Sequence, residues 1–350
     1  MTSRFRILGR KKFRFGLITT GLVGTTTGYY YYSKKHHNNT TTENSNGDSE
    51  ELVGQVSQTH AKKPLLFQWS SIPKLIEKRY DPNWKGENGW LWNVGNTVVV
   101  GGVGMVAKVF LKYLENTRVY NLDKLMEIVE QEDRNRALIT VSNHESVWDD
   151  PILWGVLPLE ILLTPHKMRW VLGAADICFT TLFRSLFFAL GQAIPTIRGS
   201  GIYQPGVDFA IHKSNQNGWI HIFPEARVNQ TTSMIRFKWG VGRIIMESDR
   251  CPIVIPVWHN GMAQVRPLNG PPVRFFKPIT LAFGDPIDFQ DTLNAWKKGE
   301  ITETEARIKI TSTIFEALAE LRDKTLRMKH DLESGIVSDN EGDLKDTIKP

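Results

Sequence analysis

A chain of 350 residues, 41% of them hydrophobic, suits one large domain with appendages, and a mean hydropathy of −0.27 argues against several membrane spans. The net charge of +6 and the pI near 9.1 favour an anionic partner, either a lipid surface or a nucleic acid. The sequence has no zinc-finger spacing or RNA-recognition motif, so it predicts no nucleic-acid partner. Two cysteines, Cys178 and Cys251, cannot form a disulfide framework; their apolar surroundings favour buried free thiols over a bond between them.

The first 33 residues predict a basic targeting or membrane-anchor segment. Six cations lie between Arg4 and Arg14, residues 15–33 carry no charge, and the first acid is Glu43. Acid-free, arginine-rich N-termini are typical of mitochondrial targeting, and the uncharged run reaches the minimum length of a spanning helix. Threonine and glycine dilute this run, so a weak anchor, a removed leader and an unstructured basic arm remain alternatives. If it spans a membrane, the positive-inside tendency places the body on the side opposite the cations.

Polar segments flank the predicted domain. Residues 34–63 are rich in Thr, Asn and Ser and lack a hydrophobic period, so they cannot bury enough apolar surface to offset chain entropy and are predicted to be a disordered linker. Residues 336–350 are predicted to be a flexible tail. Residues 64–335 then form the folded domain.

Within this domain, apolar runs alternate with helical patterns, which is typical of an α/β fold. The predicted strands are residues 137–143, 192–198, 218–223, 252–258 and 278–284. The predicted helices lie near residues 151–158, 173–190, 205–214, 232–248 and 303–332. The last helix opens with a capping box, Thr302-x-x-Glu305. One stripe of it, which we expect to pack onto the domain, carries Ile310, Ile314, Leu318 and Leu321.

Residues 90–107 carry no charge and predict an apolar helix. Tryptophans at one end and lysines beyond the other fit a helix that lies in a bilayer interface, and a buried core helix fits the composition equally well. Gly102, Gly104 and Ala107 imitate the dinucleotide-binding pattern G-x-G-x-x-A. We interpret this pattern as coincidental, because no βαβ unit or ribose-binding acid follows it.

The strongest candidate for chemistry is a histidine on a short loop. Residues 137–141 predict a buried strand, and Asp150-Pro151 predicts a helix start, since Asp caps helices and Pro is tolerated at the first helical position. His144 lies between the two, and Asp149 follows at the mouth of the helix. An imidazole oriented by a carboxylate can take a proton from an alcohol. A structural histidine beside a capping aspartate is the alternative.

Four blocks in chain order carry a resemblance to a known family: Asn143-His144 with Asp149-Asp150-Pro151, Ile197-Arg198-Gly199, Ile222-Phe223-Pro224-Glu225, and Pro252-Ile253-Val254-Ile255-Pro256-Val257. Together they resemble the glycerophospholipid acyltransferase superfamily, whose signature is His, four residues, Asp. The resemblance covers roughly residues 90–330. Residues 174–180, 221–225 and 237–240 make it closest to mitochondrial transacylases that remodel cardiolipin. It implies a single domain with a mixed sheet flanked by helices, on a mitochondrial membrane facing the intermembrane space, as a peripheral or monotopic protein.

The resemblance also implies the site residues. His144 is expected to be the general base that takes the proton of a lysophospholipid hydroxyl, and Asp149 is expected to orient it, although the sequence does not distinguish Asp149 from Asp150 in this role. The implied substrate-binding residues are Arg198, Gly199, Pro224, Glu225 and Asn143. An arginine suits phosphate because its guanidinium fork matches phosphate oxygens. The substrate alcohol is the nucleophile, so no serine nucleophile, metal or cofactor is predicted.

Two neighbouring residues carry local expectations. Ser146 lies inside the histidine motif and is expected to make a hydrogen bond within the loop instead of acting as a nucleophile. Ala226 follows Glu225 where many relatives have glycine. If that position requires a positive φ, alanine is strained there.

Two reactions fit the same residues. One takes the acyl chain from acyl-CoA; the other takes it directly from a phospholipid such as phosphatidylcholine and passes it to monolysocardiolipin. The extended resemblance favours the second, which predicts cardiolipin, monolysocardiolipin and phosphatidylcholine as lipid partners. A non-catalytic membrane-binding module of the same fold is a further alternative, and a nicotinamide enzyme that uses residues 102–107 is another. The sequence leaves open whether the protein is an oligomer.

Overall fold

The computed structural model describes residues 69–83, 89–131, 134–231, 233–270, 273–334 and 346–348. The predicted targeting segment 1–33 and linker 34–63 lie outside the described residues. The described chain is built around one mixed sheet, so the predicted α/β class with helices flanking a mixed sheet is confirmed.

The sheet has eight strands: β1 Asn116–Tyr120, β2 Leu138–Ser142, β3 Trp170–Ala174, β4 Ala193–Thr196, β5 Trp219–Ile222, β6 Ile253–Asn260, β7 Pro278–Phe283 and β8 Asp346–Ile348. Their order across the sheet is β4-β3-β5-β2-β6-β7-β1-β8. Neighbours from β4 to β6 are parallel, as are β7 and β1. The pairs β6–β7 and β1–β8 are antiparallel.

The α-helices are α1 Lys74–Glu77, α2 Trp90–Leu114, α3 Leu122–Val129, α4 Asp149–Leu153, α5 Leu159–Leu162, α6 Ala175–Cys178, α7 Leu182–Leu190, α8 Pro205–Asn215, α9 Gly240–Glu247, α10 Met262–Val265, α11 Gln290–Lys297 and α12 Glu303–Glu333. Helix α2 is continuous but contains two π-helical segments, Thr97–Gly101 and Phe110–Leu114. Short 3₁₀ turns occupy Trp69–Ser71, Lys78–Tyr80, Trp154–Val156 and Pro165–Lys167.

The central strands are buried on both faces. Every residue of β2 and β5 is buried, as are the six middle residues of β6. Parallel strands covered by helices on both sides need near-continuous apolar sequence, which explains why these strands could be predicted from their runs of Val, Ile and Leu. The runs at 192–198 and 278–284 likewise correspond to β4 and β7.

Two hydrophobic cores cover the two faces of the sheet. One holds buried residues of α8, α9 and α12, and the other holds buried residues of α2, α3, α4 and α10. The predicted capping box of α12 is present, with Thr302 and Glu305 bonding to each other's backbone N–H. The predicted stripe of α12 faces the first core, with exposed fractions of 0% for Ile310, Ile314 and Leu318 and 5% for Leu321. Cys178 and Cys251 are free thiols, as predicted.

Three strands were not predicted. β3 lies partly inside the predicted helix 173–190, which the structure divides into β3, α6 and α7. An apolar run without alternation fits either a helix or a strand, and here pairing with β4 and β5 stabilises the strand. β1 is a short strand of five residues near one side of the sheet. β8 belongs to the predicted tail 336–350, so three residues of this tail are part of the sheet. The helix predicted at 232–248 begins only at Gly240.

Helix α2 packs one side against the domain. The Lys108 ammonium donates to the carbonyl oxygens of Gly155 at 3.3 Å and Leu157 at 2.9 Å. The backbone of Gly155 approaches Ala107 so closely that a Cβ on the glycine would lie 2.5 Å from the Ala107 carbonyl carbon. The other side of the helix exposes apolar side chains: Trp90, Leu91, Val94, Val98, Val106, Val109 and Tyr113.

Within the described residues, α2 is the one helix whose length and composition would suffice to cross a membrane. Gly102, Gly104 and Ala107 lie inside it, not on a loop after a strand. The structure therefore confirms that this glycine pattern is not a dinucleotide-binding turn.

Packing of the α12 stripe predicts a contrast between two isoleucines on one helix. Ile314 is fully buried, whereas Ile308 is 48% exposed. We expect Ile314→Ala to lower the free energy of unfolding by about 2–5 kcal/mol, because it removes buried methyl groups and leaves a cavity. Ile308→Ala should change it by less than about 0.5 kcal/mol. Denaturant unfolding followed by circular dichroism measures both, and equal losses would contradict this packing.

Candidate active site

The parallel strands bring the candidate residues to one edge of the sheet. His144 follows β2, Glu225 follows β5 and Arg198 follows β4. Since these strands all run in the same direction, their carboxyl ends lie along a single edge, which is where open α/β sheets bind ligands.

His144 and Asp149 form a hydrogen-bonded pair. Nδ1 of His144 lies 2.9 Å from Oδ2 of Asp149, and the same oxygen accepts the N–H of Ser146 at 2.8 Å. The Asp149 side chain is fully buried, whereas that of His144 is 20% exposed. When Asp149 is ionised it can only accept, so Nδ1 then carries the proton and Nε2 keeps its lone pair. Nε2 is therefore the ring atom that can take a proton from a ligand.

The neighbouring carboxylate, Asp150, is occupied elsewhere. The Arg169 guanidinium donates two hydrogen bonds to it, from Nε to Oδ1 at 3.0 Å and from Nη2 to Oδ2 at 2.5 Å. The indole N–H of Trp154 donates to the same carboxylate at 3.2 Å. Of the two aspartates that the sequence left open, Asp149 is thus the partner of His144.

The residue before the histidine is fixed to the end of β6. The Asn143 amide donates to the carbonyl of His259 at 2.8 Å and accepts its N–H at 3.0 Å, as a backbone neighbour would. The Asn143 side chain is buried, with both ends of its amide engaged. Asn143 therefore fixes the loop to β6, and its role in substrate binding stays a prediction.

The residue after the histidine is fixed to the same part of the chain. Glu145 is buried and accepts the side-chain N–H of Asn260 at 3.1 Å and the backbone N–H groups of Gly261 at 2.9 Å and Ala263 at 3.3 Å. Burial raises the pKa of this carboxyl, and these donors act in the opposite sense. His144 is thus held on both sides by residues 259–263.

The loop after β5 closes one face of the imidazole. The Phe223 ring stacks on that of His144 with centroids 4.2 Å apart and planes 25° apart. Glu225 is buried and accepts the Asn229 amide at 2.8 Å, while the N–H of Asn229 donates to the carbonyl of His144 at 2.7 Å. Burial raises the pKa of Glu225. Pro224 offers its carbonyl to the N–H of Lys238 at 2.8 Å.

Burial sets the charge state of the pair. It lowers the pKa of His144 to about 4, and the carboxylates of Glu225 and Asp150 oppose this shift. His144 is therefore a neutral imidazole at pH 7, as a general base must be. Burial also raises the pKa of Asp149, against which His259 and the Ser146 N–H act.

Arg198 lies further along the same edge. Its guanidinium forms an ion pair with Asp176 of α6, and both side chains are more than one third exposed. β4 is three strands from β2, which corresponds to roughly 14 Å between strand axes. Gly199 and Gly201 have φ of 87° and 79°, conformations that suit glycine. The structure therefore brings Glu225 next to His144 and leaves Arg198 and Gly199 at a distance along the edge.

Sequence reasoning assigned no role to two buried histidines near His144. His221, in the middle of β5, bonds the hydroxyls of Thr140 at 2.8 Å and Ser142 at 3.3 Å. His259, at the end of β6, lies 3.5 Å from Oδ2 of Asp149. A histidine inside an apolar strand is the signal that could have drawn attention to them. Within the described residues, no three His, Cys, Asp or Glu side chains are grouped to hold a metal ion.

The two local expectations agree with the structure. Ser146 is buried, and its hydroxyl accepts the N–H of Trp148 at 3.2 Å. Ala226 has a φ of 56°, so the position that follows Glu225 does require the left-handed conformation in which alanine is strained.

This strain predicts that Ala226→Gly stabilises the protein. We expect the free energy of unfolding to rise by about 1 kcal/mol, since glycine adopts a positive φ without a Cβ clash. Ala295→Gly, inside helix α11, is the matched control and should lower it by about 0.5–1 kcal/mol. Denaturant titration measures the free energy of unfolding of both variants. A lower value in Ala226→Gly would contradict the strain.

Several known proteins match the chain in sequence. The family model described as "Acyltransferase" matches residues 116–260, from β1 to the end of β6. The protein named "Tafazzin" from Drosophila melanogaster is 44% identical over 238 residues, which cover 68% of this chain and 63% of that protein. "Taffazin" from Dictyostelium discoideum is 43% identical over 176 residues, covering 49% of this chain and 61% of that protein. The chain thus spans about three fifths of the length of these two relatives.

A third relative is matched over more of its length. The "N-acylphosphatidylethanolamine synthase" of Arabidopsis thaliana is 36% identical over 213 residues, covering 59% of this chain and 75% of that protein. This coverage and the match to the family model show that the chain belongs to the acyltransferase family. Proteins named tafazzin are among its relatives.

Proposed function

We propose that this protein moves acyl chains from a phospholipid to a lysophospholipid without CoA, and that it remodels cardiolipin. In this reaction phosphatidylcholine is the donor and monolysocardiolipin the acceptor. The observation that carries the reaction type is the His144–Asp149 pair, a neutral imidazole with a free Nε2 oriented by a buried carboxylate. The sequence resemblance and the relatives named tafazzin support the choice of lipids.

The residues account for each proton in such a transfer. Nε2 of His144 takes the proton of the acceptor hydroxyl as that oxygen attacks the acyl carbonyl carbon. The new C–O bond gives a tetrahedral intermediate, and the imidazolium is stabilised by Asp149. The intermediate then expels the donor's oxygen, which recovers the proton from Nε2. One ester is broken and one is formed, so the reaction requires no net input of free energy.

No serine of the loop competes for the role of nucleophile. Ser146 is buried and its hydroxyl is engaged with the loop backbone. In our proposal the acceptor lipid supplies the attacking oxygen directly.

Headgroup recognition falls to the outer part of the edge. Arg198 is exposed enough to meet a lipid phosphate, and its partner Asp176 holds the guanidinium in place beforehand. Glu225 is buried beside His144, and in our proposal it orders the acceptor rather than the phosphate.

An apolar surface suits contact with a bilayer. Like α2, helix α7 exposes apolar side chains, with Leu182 58% and Phe183 78% exposed. The two helices are in contact, because Gly95 of α2 faces Leu190 of α7. Since one side of α2 packs on the domain, we propose that this surface lies in the bilayer interface and does not span it. A mitochondrial membrane facing the intermembrane space is the proposed location.

A second candidate comes from the Arabidopsis relative. Its name describes acylation of phosphatidylethanolamine on nitrogen, and the same base could take a proton from an amine. Acyl-CoA as donor and a non-catalytic lipid-binding module are the remaining alternatives.

The deciding assay uses purified full-length protein in bilayers with acyl-labelled phosphatidylcholine and either monolysocardiolipin or phosphatidylethanolamine, with and without CoA. We expect label in cardiolipin without CoA, and a loss of about 100-fold or more in His144→Ala, since its general base is gone. His330→Ala is the matched control, because His330 is exposed on α12 and should leave the rate unchanged.

Each other result selects an alternative. Label only in an N-acylated product favours the second candidate, and transfer only from acyl-CoA favours a conventional acyltransferase. Unchanged transfer in His144→Ala would overturn the base. If no donor gives transfer while the protein still binds membranes, the non-catalytic lipid-binding module is the remaining alternative.

The two aspartates predict different defects. Asp149→Asn should lower kcat by about 10³-fold or more, because an amide can present its N–H to Nδ1 and stabilise the wrong tautomer of His144. Asp150→Asn should instead lower the free energy of unfolding by about 3 kcal/mol, because it breaks the ion pair of the buried Arg169. Specific activity per folded molecule and thermal unfolding separate the two. A larger loss of kcat in Asp150→Asn would reverse the assignment.

A further inference from the structure

A buried histidine lies behind the pair described above. His259 is 0% exposed, and its Nε2 is 2.9 Å from the carbonyl oxygen of Asn143 and 3.5 Å from Oδ2 of Asp149. Both neighbours are acceptors, so Nε2 must carry the proton. Nδ1 is buried, and among the described residues it has no hydrogen-bond partner. The geometry thus selects one neutral tautomer of His259.

This tautomer places the N–H-bearing nitrogen 3.5 Å from Oδ2 of Asp149, near enough for electrostatic attraction to the carboxylate that orients His144. A second proton on the ring would place an N–H at Nδ1 with nothing to accept it, which is costly in a buried site. Burial correspondingly lowers the pKa of His259. The same imidazole also bonds the carbonyl of Asn143, the residue directly before His144.

We propose that His259 is a positioning residue for the acyl transfer: its Nε2–H keeps Asp149 an acceptor and fixes the backbone that carries His144. The proposal rests on the function proposed above. It makes the pair a line of three side chains, in which His259 faces Asp149 and Asp149 accepts from His144.

Removing the N–H has a defined chemical consequence. Without it the buried Asp149 carboxyl is more readily protonated, because burial already raises its pKa. A protonated Asp149 would donate to Nδ1 of His144 and place the imidazole proton on Nε2. Nε2 could then no longer accept the proton of the acceptor hydroxyl, and raising the pH would restore it.

The titratable and charged groups around the three side chains come from several elements. Those that face Asp149, His144 or His259, or lie beside them, are Glu145, Asp150, Arg169, His221 and Glu225. His221 has the same burial as His259, but its partners are Thr140 and Ser142, and it is the matched control.

The test compares the pH dependence of kcat for wild type, His259→Leu, His259→Gln and His221→Leu in the bilayer assay. His259→Leu should lose about tenfold in kcat at pH 7, change KM by less than about threefold, and recover at higher pH, with its acidic limb moved up by about one unit. His259→Gln should stay near wild type, since its amide N–H can replace Nε2–H. His221→Leu should keep the wild-type profile per folded molecule.

A profile for His259→Leu parallel to that of wild type would overturn the proposal, as would an identical shift in His221→Leu. Wild-type protein labelled with ¹⁵N-histidine gives a readout independent of activity and of whether the variants fold. Its spectrum should show His259 protonated on Nε2 and His144 on Nδ1. The opposite tautomer of His259 would refute the positioning role even if transfer is observed, whereas absence of transfer in wild type would refute the proposed function and, with it, a positioning role in acyl transfer.

Discussion

One buried carboxylate, that of Asp149, determines how the active edge of the sheet is arranged. An ionised group without water is very costly unless its oxygens are hydrogen-bonded. The Oδ2 atom of Asp149 meets this requirement through the imidazole of His144 and the backbone N–H of Ser146, with Nε2 of His259 3.5 Å away, whereas Oδ1 has no hydrogen-bond partner among the described residues. The loop can satisfy the carboxylate in this way only when His144 points outward with its Nε2 free. The electrostatic need of one side chain thus fixes the orientation of another.

The polar edge of the sheet and the apolar exterior have different physical properties. At the edge, both neighbours of His144 are fastened to residues 259–263, so the imidazole is held in one position before any ligand binds. On the outside, α2 and α7 expose apolar side chains that are not used for packing. A rigid site next to a lipid-compatible surface suits an enzyme whose substrates stay in a membrane.

Sequence reasoning reached those parts that depend on local pattern. The strands β2, β5 and β6, the capping box of α12 and the His144–Asp149 spacing all follow from neighbouring residues. The strain at Ala226 was foreseen because glycine is usual there. The roles of Glu145 and His259 could not be foreseen, because their contacts join residues more than 100 positions apart. β3 was missed for a similar reason, since pairing with distant strands decides its state.

The fastening of the histidine loop to residues 259–263 has a consequence for synthesis. Asn143 and His259 are 116 positions apart, so a growing chain presents the loop long before its anchor. At about 5–20 residues per second, the delay is roughly 6–23 s. Until the anchor has emerged and paired, the backbone on either side of His144 is not held in place. The nascent chain therefore carries His144 and Asp149 before it can hold them in their final arrangement, which is complete only once the second half of the sheet has folded.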